Sequence, residues 1–247
     1  MKIRDRKKLL EEMRSWIEKI EDEKIKEITL KIFENPKLSF AEVYPKISFE
    51  ESPAAPKHHH AYPGGLIDHL YGVLMIGLKL AENYSEIYGF SINKDLIIAG
   101  AVLHDIFKYY QYEKDPITGG FRPRQDWYLA HDFAIVAELA HRKAPDKLIR
   151  CISEVHGNVP FTMLESQILH WADTTDANFI ANIQNNIWYA CREIETESDG
   201  KYLAIKTFYK ALWKYPIFIY AEIYYQKGKD ELREFIKKNV LSSEERT

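Results

Sequence analysis

The sequence predicts an all-α protein, built as a bundle of helices. Three observations carry this prediction. Apolar residues recur every three or four positions in several segments, which is the spacing of amphipathic helices. Residues that favour helix ends stand at the boundaries of these segments, and no segment alternates apolar and polar residues as a half-buried strand does. The chain has 247 residues, which is enough to bury a sizeable core.

The first helical section lies within residues 1–35. Its apolar positions follow the i, i+3, i+4, i+7 pattern of an amphipathic helix and are Leu9, Leu10, Met13, Trp16, Ile17 and Ile20. The pair Asn35-Pro36 ends this section. Five prolines from Pro36 to Gly65 then predict an irregular loop with a few short turns.

Two helices follow this loop. The first resumes near Leu66, after the pair Gly64-Gly65 that lets the chain turn sharply, and it carries His69 on its apolar face. The second is capped by Asn93 and contains the stretch LIIAGAVL, which is apolar all round and therefore buried. A buried strand is the competing interpretation of that stretch, but the helical segment extends to Lys108 and so favours helix.

The second half of the chain is predicted to be helical as well, after a loop over residues 112–128. The helices cover about residues 131–143, Pro145 to His156, a segment opened by a capping box at Thr162–Glu165, and residues 202–241 with breaks at Pro216 and Gly228. We expect a single domain over residues 1–247, with a core at about 50–180 and peripheral helices at 1–35 and 200–241.

Composition narrows the class of protein. The formal net charge is −3, from 34 basic and 37 acidic residues, so a wholesale basic face for duplex nucleic acid is not supported, although a local basic groove stays open. Cys151 and Cys191 form no CxxC pair, which predicts free thiols in a reducing compartment. The charged N-terminal segment lacks the apolar core of a signal peptide, and no apolar stretch approaches the roughly 20 residues of a membrane span. We expect a cytoplasmic protein.

Candidate metal ligands stand at helix ends and on apolar helix faces. His104-Asp105 directly follows LIIAGAVL, and burying an imidazole and a carboxylate costs several kcal/mol unless a partner such as a divalent cation compensates. For any single histidine, a hydrogen-bonded core residue is the alternative. The whole set of four histidines and two aspartates is harder to explain that way, and it comprises His69, His104, Asp105, His131, His156 and Asp173.

These residues carry a resemblance to a known family. The order His69, His104-Asp105, Asp173 resembles the H…HD…D signature of the HD superfamily of metal-dependent phosphohydrolases, which has an all-helical fold. The stretches PAAPKHHHAYPGGLIDH, LIIAGAVLHDIFK and ILHWADTTDAN resemble more closely the branch that contains the YhaM-type 3′–5′ exoribonucleases, over about residues 50–180. A bare HD dipeptide is uninformative, since His131-Asp132 is a second one, whereas the ordered set is specific.

The resemblance implies a divalent transition-metal cofactor, Mn, Fe, Ni, Co or Zn, with Mg as an alternative. It assigns the core ligands to His69, His104, Asp105 and Asp173, with Asp105 able to bridge two ions. His131 and His156 match histidines that binuclear members use for a second metal. Six ligands are too many for one ion that also holds water and substrate, so two ions about 3.5–4 Å apart are expected. The alternative is one tightly held ion, with His131 and His156 contacting substrate.

Lys108 is the predicted catalytic partner of Asp105. It stands four residues after His104 and three after Asp105, on the same helical face, where it can neutralise charge on phosphoryl oxygens. The sequence departs from the commoner HDxGK form because Phe107 replaces a small residue, which puts a close backbone approach there in doubt.

Substrate contacts are predicted from two loops. His59 and His60 match the paired histidines of the YhaM-type motif, and we expect them at the rim of the site against a phosphate or a leaving group. His58 is expected to be merely exposed. Arg122 and Arg124 lie ahead of His131 and could grip substrate phosphate in bidentate geometry.

Other polar and aromatic residues have less specific interpretations. One turn before and one turn after Asp173, His170 and Asp176 could orient a ligand or simply pack as polar groups. The aromatic residues from Trp188 to Tyr225 are expected to be mostly core, with a base-stacking platform as the alternative.

Three functions are compatible with these features. The first is a metal-dependent phosphohydrolase that cleaves a phosphoester of a nucleotide or similar small substrate through metal-activated hydroxide. The second is a 3′–5′ exonuclease on RNA or single-stranded DNA, although the first 35 residues are too short for the N-terminal OB-fold of YhaM-type enzymes. The third is a non-catalytic module that binds a nucleotide or a protein. The full ligand set and Lys108 favour an enzyme, and the acidic charge favours a small substrate.

Overall fold

Ten α-helices account for most of residues 5–241, the part of the chain that this computed structural model describes. They are α1 (Arg6–Ile17), α2 (Glu23–Glu34), α3 (Gly65–Tyr88), α4 (Lys94–Leu103), α5 (His131–His141), α6 (Asp146–Glu154), α7 (Leu164–Glu197), α8 (Ala204–Lys214), α9 (Ile217–Lys227) and α10 (Lys229–Ile236). A 3-10 turn at Lys108–Gln111 and a π-helical turn at Lys237–Leu241 complete the helical structure. The all-α prediction is confirmed. Across residues 5–241, no helix combines the length and the apolar character that crossing a membrane requires.

One small sheet interrupts the segment predicted to be a loop. Strands β1 (Tyr112–Lys114) and β2 (Phe121–Pro123) pair antiparallel, with Glu113 opposite Arg122. The Asp115 side chain closes the turn by accepting from the backbone amide of Ile117. Each strand has three residues, which is too short for an alternating pattern to appear in the sequence.

Capping residues fix the starts of three early helices. The side chains of Asp5, Asp22 and Asn93 accept hydrogen bonds from backbone amides in the first turns of α1, α2 and α4. The N-cap predicted at Asn93 is therefore confirmed. Gly64 has φ 75°, so the sharp turn predicted ahead of α3 is confirmed as well.

The capping box predicted at Thr162–Glu165 is wrong. The residue before α7 is Met163, and no side chain caps that helix. The amide and hydroxyl of Thr162 instead donate to the buried carboxylate of Glu154, and Glu165 accepts from the amide of Asn93, 2.8 Å away. Thr162 and Glu165 therefore bond to Glu154 and Asn93 and not to the first turn of α7. A local sequence pattern does not reveal such competing partners.

Two apolar cores share the long helix α7. The first core contains α1 to α6 and the N-terminal half of α7, with α4 buried along its apolar stretch between α2, α3, α6 and α7. The second core joins the C-terminal half of α7 to α8, α9 and α10. The breaks predicted at Pro216 and Gly228 are confirmed, because they separate α8 from α9 and α9 from α10. That both cores form one domain stays a prediction.

The buried carboxylate of Glu138 fixes the loop after α2 onto α5. It accepts hydrogen bonds from the amide and the hydroxyl of Ser39, both at 2.7 Å, and from Nε of Arg142. Glu138→Ala is expected to lower the free energy of unfolding by about 3 kcal/mol, because it removes three hydrogen bonds to a buried carboxylate. Urea denaturation measures the change. Glu27→Ala, which removes an exposed pair with Lys31, is the control, and an equal loss in both variants would contradict the assignment.

Candidate metal centre

All six predicted metal ligands meet where five helices converge. Each comes from a helix end or a buried helix face: His69 from the second turn of α3, His104 and Asp105 from the end of α4, His131 from the start of α5, His156 from just after α6, and Asp173 from the third turn of α7. Helix termini therefore deliver four of them, and this is why residues up to about a hundred positions apart converge. Their role as ligands stays a prediction.

Four of these residues form an inner group, consisting of His69, His104, Asp105 and Asp173. Nε2 of His69 lies 3.3 Å from Oδ2 of Asp105 and 3.2 Å from Oδ1 of Asp173. Nε2 of His104 lies 3.4 Å from Oδ2 of Asp105 and 4.0 Å from Oδ1 of Asp173. Both imidazole side chains are fully buried, whereas the Asp173 side chain is 17% exposed. Such a set of two nitrogens and two oxygens can hold a divalent ion.

An outer group uses the second oxygen of Asp105 together with His131 and His156. Oδ1 of Asp105 lies 3.1 Å from Nε2 of His131 and 3.6 Å from Nε2 of His156. These two histidines are 23% and 17% exposed, so this group faces the opening of the site. His170 supports the turn that carries His156, because its Nδ1 bonds the carbonyl of Val155 at 2.8 Å.

The polar atoms of both groups indicate that a cation fits here. Buried polar atoms are normally hydrogen-bonded, and an orphaned one is costly. Within the cluster, the buried atoms without a hydrogen-bond partner include Nε2 of His69, His104, His131 and His156 and Oδ1 of Asp105, whereas Oδ2 of Asp105 has Lys108 beside it. These atoms point at one another across 3–4 Å, and a divalent cation would satisfy them together.

The charges within the cluster are set by burial and by Lys108. Although burial by itself raises the pKa of a carboxyl, the ammonium of Lys108 holds the pKa of Asp105 well below its usual value. Burial lowers the pKa of His104 to about 4, so this imidazole is neutral and able to act as a ligand. Nζ of Lys108 lies 2.5 Å from Oδ2 of Asp105 in a nearly buried position. Phe107, which stands where the HDxGK form has a small residue, is fully buried and packs against Tyr110 in the core.

Hydrogen bonds to Nδ1 orient both inner histidines. Nδ1 of His69 lies 2.7 Å from Oδ2 of Asp176, and Nδ1 of His104 lies 3.0 Å from the carbonyl oxygen of Ala101. Each Nδ1 therefore carries a hydrogen, and Nε2 is the nitrogen that each ring would present to a metal. Gly72 makes room for Asp176, because a Cβ at Gly72 would lie 2.3 Å from the Asp176 carboxylate.

The paired histidines lie next to the inner group. His59 is partly exposed, and its ring centroid lies 4.8 Å from that of His69. Burial, reinforced by His69, lowers the pKa of His59 to about 3. His60 is 2% exposed, so its predicted place at the rim is wrong: it packs behind His59, with the ring centroid 5.3 Å from that of His69. His58 is exposed, as predicted.

The structure gives the two loop arginines other partners. Arg122 pairs with Glu113 across the hairpin, with its Nη2 2.8 Å from a carboxylate oxygen. Arg124 donates to both oxygens of Asp126 and to two backbone carbonyls, so most of its N–H groups are used. The protein itself uses four N–H donors of Arg124 and two of Arg122, and contact of these arginines with substrate phosphate stays a prediction.

Gln184 was missed by the sequence analysis. It is 2% exposed, its Nε2 donates to the carbonyl of His58 at 3.0 Å, and its Oε1 accepts from the amide of Ala61 at 2.8 Å. The amide thereby clamps both ends of the turn that carries the paired histidines. A polar residue between Ile183 and Ile187, on the buried stripe of a long helix, is the pattern that could have indicated it.

Comparisons with known proteins agree with this geometry. A family model described as HD domain matches residues 66–178. A dihydroneopterin 2′,3′-cyclic phosphate phosphodiesterase of Methanocaldococcus jannaschii is 34% identical over 238 residues, which covers 95% of this chain and 91% of that protein. The 3′-5′ exoribonuclease YhaM of Bacillus velezensis is 30% identical over 53% of this chain and 44% of its own length. The YhaM of Bacillus subtilis is 28% identical over 66% and 53%, respectively. No solved structure matches the chain.

Proposed function

This chain belongs to the HD domain family and is a metal-dependent phosphohydrolase, and from this premise we propose that it opens the 2′,3′-cyclic phosphate of a small, nucleotide-like molecule. The archaeal phosphodiesterase is similar over 95% of the chain, which includes the helices outside the HD match as well as the cluster itself. The exoribonucleases are similar over only about half of their own length. This difference in coverage favours a small cyclic diester over a polymer.

The observation that carries the proposal is the way Asp105 divides its two oxygens between the inner and outer groups. Two ions would be held there, one by His69, His104, Asp105 and Asp173, and one by Asp105, His131 and His156. Imidazole and carboxylate ligands favour Mn, Fe, Co, Ni or Zn over Ca. When bound, the ions supply a water of lowered pKa and positive charge beside the phosphate.

The side chains around the two groups supply charge, orient the ligands and leave part of the site open to substrate. The ionised carboxylate of Asp105 links the two groups, and Asp176 keeps the ring of His69 in place. Lys108 is a buried ammonium with three hydrogens, so it can contact Asp105 and also donate to a phosphate oxygen. His131, His156 and Asp173 are partly exposed, so a substrate can reach both groups from solvent.

The reaction adds one water across one P–O bond. Phosphorus gains the oxygen of the water, and the ring oxygen on carbon 2′ or 3′ leaves and takes up a proton. The product is a phosphomonoester with a free neighbouring hydroxyl, and no second fragment is released. Negative charge grows on the phosphoryl and leaving oxygens in the transition state, where Lys108 provides a positive charge in a partly dehydrated site.

Metal removal is expected to destabilise the protein. Without a cation, the carboxylates of Asp105 and Asp173 and the orphaned imidazole nitrogens lack a common partner. Mn²⁺ at one hundred times its dissociation constant is expected to raise the free energy of unfolding by about 2.7 kcal/mol over chelator-treated protein. Thermal or urea denaturation measures this, with Ca²⁺ as the control because it prefers oxygen ligands. An unfolding transition that is the same with and without Mn²⁺ would contradict the proposed metal centre.

A metal-supplemented hydrolysis screen tests the function. Chelator-treated protein is loaded in turn with Mn²⁺, Fe²⁺, Co²⁺, Ni²⁺, Zn²⁺ and Mg²⁺. Each form is assayed on 2′,3′-cyclic AMP and GMP, 3′,5′-cyclic AMP, bis(p-nitrophenyl) phosphate, nucleoside monophosphates and 5′-labelled short RNA. We expect metal-dependent ring opening of the 2′,3′-cyclic substrates, with the monoester as the end product.

The other hypotheses give different results in the same screen. An exonuclease shortens the RNA from its 3′ end and leaves free cyclic nucleotides unchanged. A binding module retains metal and turns over no substrate. Either of these results would overturn the proposed substrate class, and the second would also overturn the enzymatic function.

A further inference from the structure

The turn that carries His59 and His60 is held in an unusual conformation. Lys57 and His60 have φ values of 73° and 46°, which side-chain-bearing residues rarely adopt. Such conformations persist only where the surrounding structure enforces them, and they concentrate at functional sites. The amide of Gln184 clamps the turn, and the backbone of Gly65 approaches so closely that a Cβ there would lie 2.1 Å from the carbonyl oxygen of His60.

His59 and His60 of this turn form a chain of contacts with Asp176 of α7. Nδ1 of His59 and Nδ1 of His60 are 3.0 Å apart. Nε2 of His60 lies 3.5 Å from Oδ2 of Asp176, the same oxygen that bonds His69. Asp176 thus faces one histidine on the metal side and one on the side of the turn.

This geometry favours one arrangement of the hydrogens on His59 and His60. Nε2 of His60 faces the carboxylate of Asp176 at 3.5 Å, and because a carboxylate oxygen only accepts, this position favours a hydrogen on Nε2 of His60. A buried neutral imidazole has a single N–H, so Nδ1 of His60 is an acceptor. The short contact between the two rings then requires His59 to donate from Nδ1. Nε2 of His59 is left with a lone pair.

We propose that His59 binds the substrate by accepting a hydrogen bond at Nε2 from a hydroxyl or N–H group, and that Asp176 and His60 are positioning residues that fix this tautomer. The inference rests on the proposed function and deepens it. A lone pair repels the oxygens of a phosphate, so the phosphate contact expected for His59 is replaced by a contact with a neutral donor elsewhere on the substrate. His59 thereby selects substrates that carry such a donor beside the reacting phosphate.

A metal ion between the paired histidines is the competing explanation. His59, His60 and His69 do bring ring nitrogens within 4.8 Å of one another. However, Nδ1 of each paired histidine faces the other, and Nδ1 of His69 is bonded to Asp176. Neither His59 nor His60 is among the described residues with an orphaned buried nitrogen, in contrast to the members of the inner and outer groups.

Nuclear magnetic resonance tests the tautomer directly. Long-range ¹H–¹⁵N correlation spectra of Zn²⁺-loaded, ¹⁵N-labelled protein are expected to show a protonated Nδ1 and an unprotonated Nε2 for His59. His60→Asn retains an acceptor near the position of Nδ1 and should keep this pattern, whereas His60→Phe should lose it. The opposite tautomer in the wild type would overturn the inference.

Kinetics test the substrate contact. The measured quantity is kcat/KM for 2′,3′-cyclic AMP divided by kcat/KM for bis(p-nitrophenyl) phosphate, whose anion has no hydrogen-bond donor. His59→Phe is expected to lower this ratio about tenfold, the effect of one lost hydrogen bond. His59→Gln provides an acceptor at a similar reach and should restore most of the ratio. His58→Phe, in the exposed neighbour, is the matched control and should leave the ratio as in the wild type.

Metal content distinguishes substrate binding by His59 from metal binding by the paired histidines. All of these variants should hold as much metal as the wild type, by elemental analysis. Loss of metal from His59→Phe, or an unchanged ratio in that variant, would refute the proposed contact. If the wild type opens no 2′,3′-cyclic phosphate, the proposed substrate is wrong. The spectra then still show whether Asp176 and His60 fix the tautomer of His59.

Discussion

Asp105→Ala is expected to lose metal from both groups and to reduce hydrolysis by on the order of a thousandfold or more. Asp105 contributes Oδ2 to the inner group and Oδ1 to the outer group, so one substitution opens both. It also removes the carboxylate that neutralises Lys108 in the interior. Elemental analysis and turnover of 2′,3′-cyclic AMP in the presence of Mn²⁺ measure the two losses.

The second HD dipeptide of the sequence supplies the control. Asp132 follows His131 as Asp105 follows His104, but its side chain contacts the backbone of Phe133 and the amide of Asn158. Asp132→Ala should therefore keep its metal and most of its activity. If Asp105→Ala retains both metal content and turnover, the proposed bridging carboxylate is wrong.

Lys108→Met is expected to reduce kcat by about 10²–10³-fold while metal remains bound. Removing a positive charge from a partly dehydrated site affects the transition state, in which charge grows on the phosphoryl oxygens, more than it affects substrate binding. The effect should therefore fall mainly on kcat, with a smaller change in KM. Methionine is chosen because it retains the length and apolar stem of the buried lysine.

Lys114→Met distinguishes this effect from a general loss of positive charge. Lys114 lies on β1, is exposed and pairs with Glu51, so its removal should leave kcat and KM unchanged. Metal content is measured in both variants. If Lys108→Met lost its metal, Lys108 would be a structural partner of Asp105, and the assigned role in charge stabilisation would be refuted.

The fold and the candidate ligands could be predicted from the sequence because the signals that define them act between neighbouring residues. Caps such as Asn93, breakers such as Pro216 and the apolar stretch ahead of His104 each act on residues within a few positions. The ordered histidines and aspartates then identified the family, because four of them stand at helix ends and His69 and Asp173 lie within the first three turns of a helix. The six predicted ligands consequently meet in the structure.

The sequence failed where a partner lies far along the chain. The capping box predicted at Thr162–Glu165 does not form, because Glu165 accepts a hydrogen bond from the backbone amide of Asn93, 72 residues earlier. Likewise, nothing adjacent to His60 indicates that its ring is buried behind His59. These outcomes depend on which partners compete for a polar group, and packing decides that competition.

The sequence by itself determined an all-helical chain with metal-binding residue types at its helix ends, because short-range spacing and capping control both features. Tertiary structure alone decided how Asp105 divides its oxygens and which group each histidine nitrogen faces. Asp176 lies 107 residues from His69, and Gln184 lies 123 residues from Ala61, so only the packing of α7 against α3 and the turn brings these groups into contact. Protonation and bridging depend on distances of a few ångströms, which no local pattern of residues specifies.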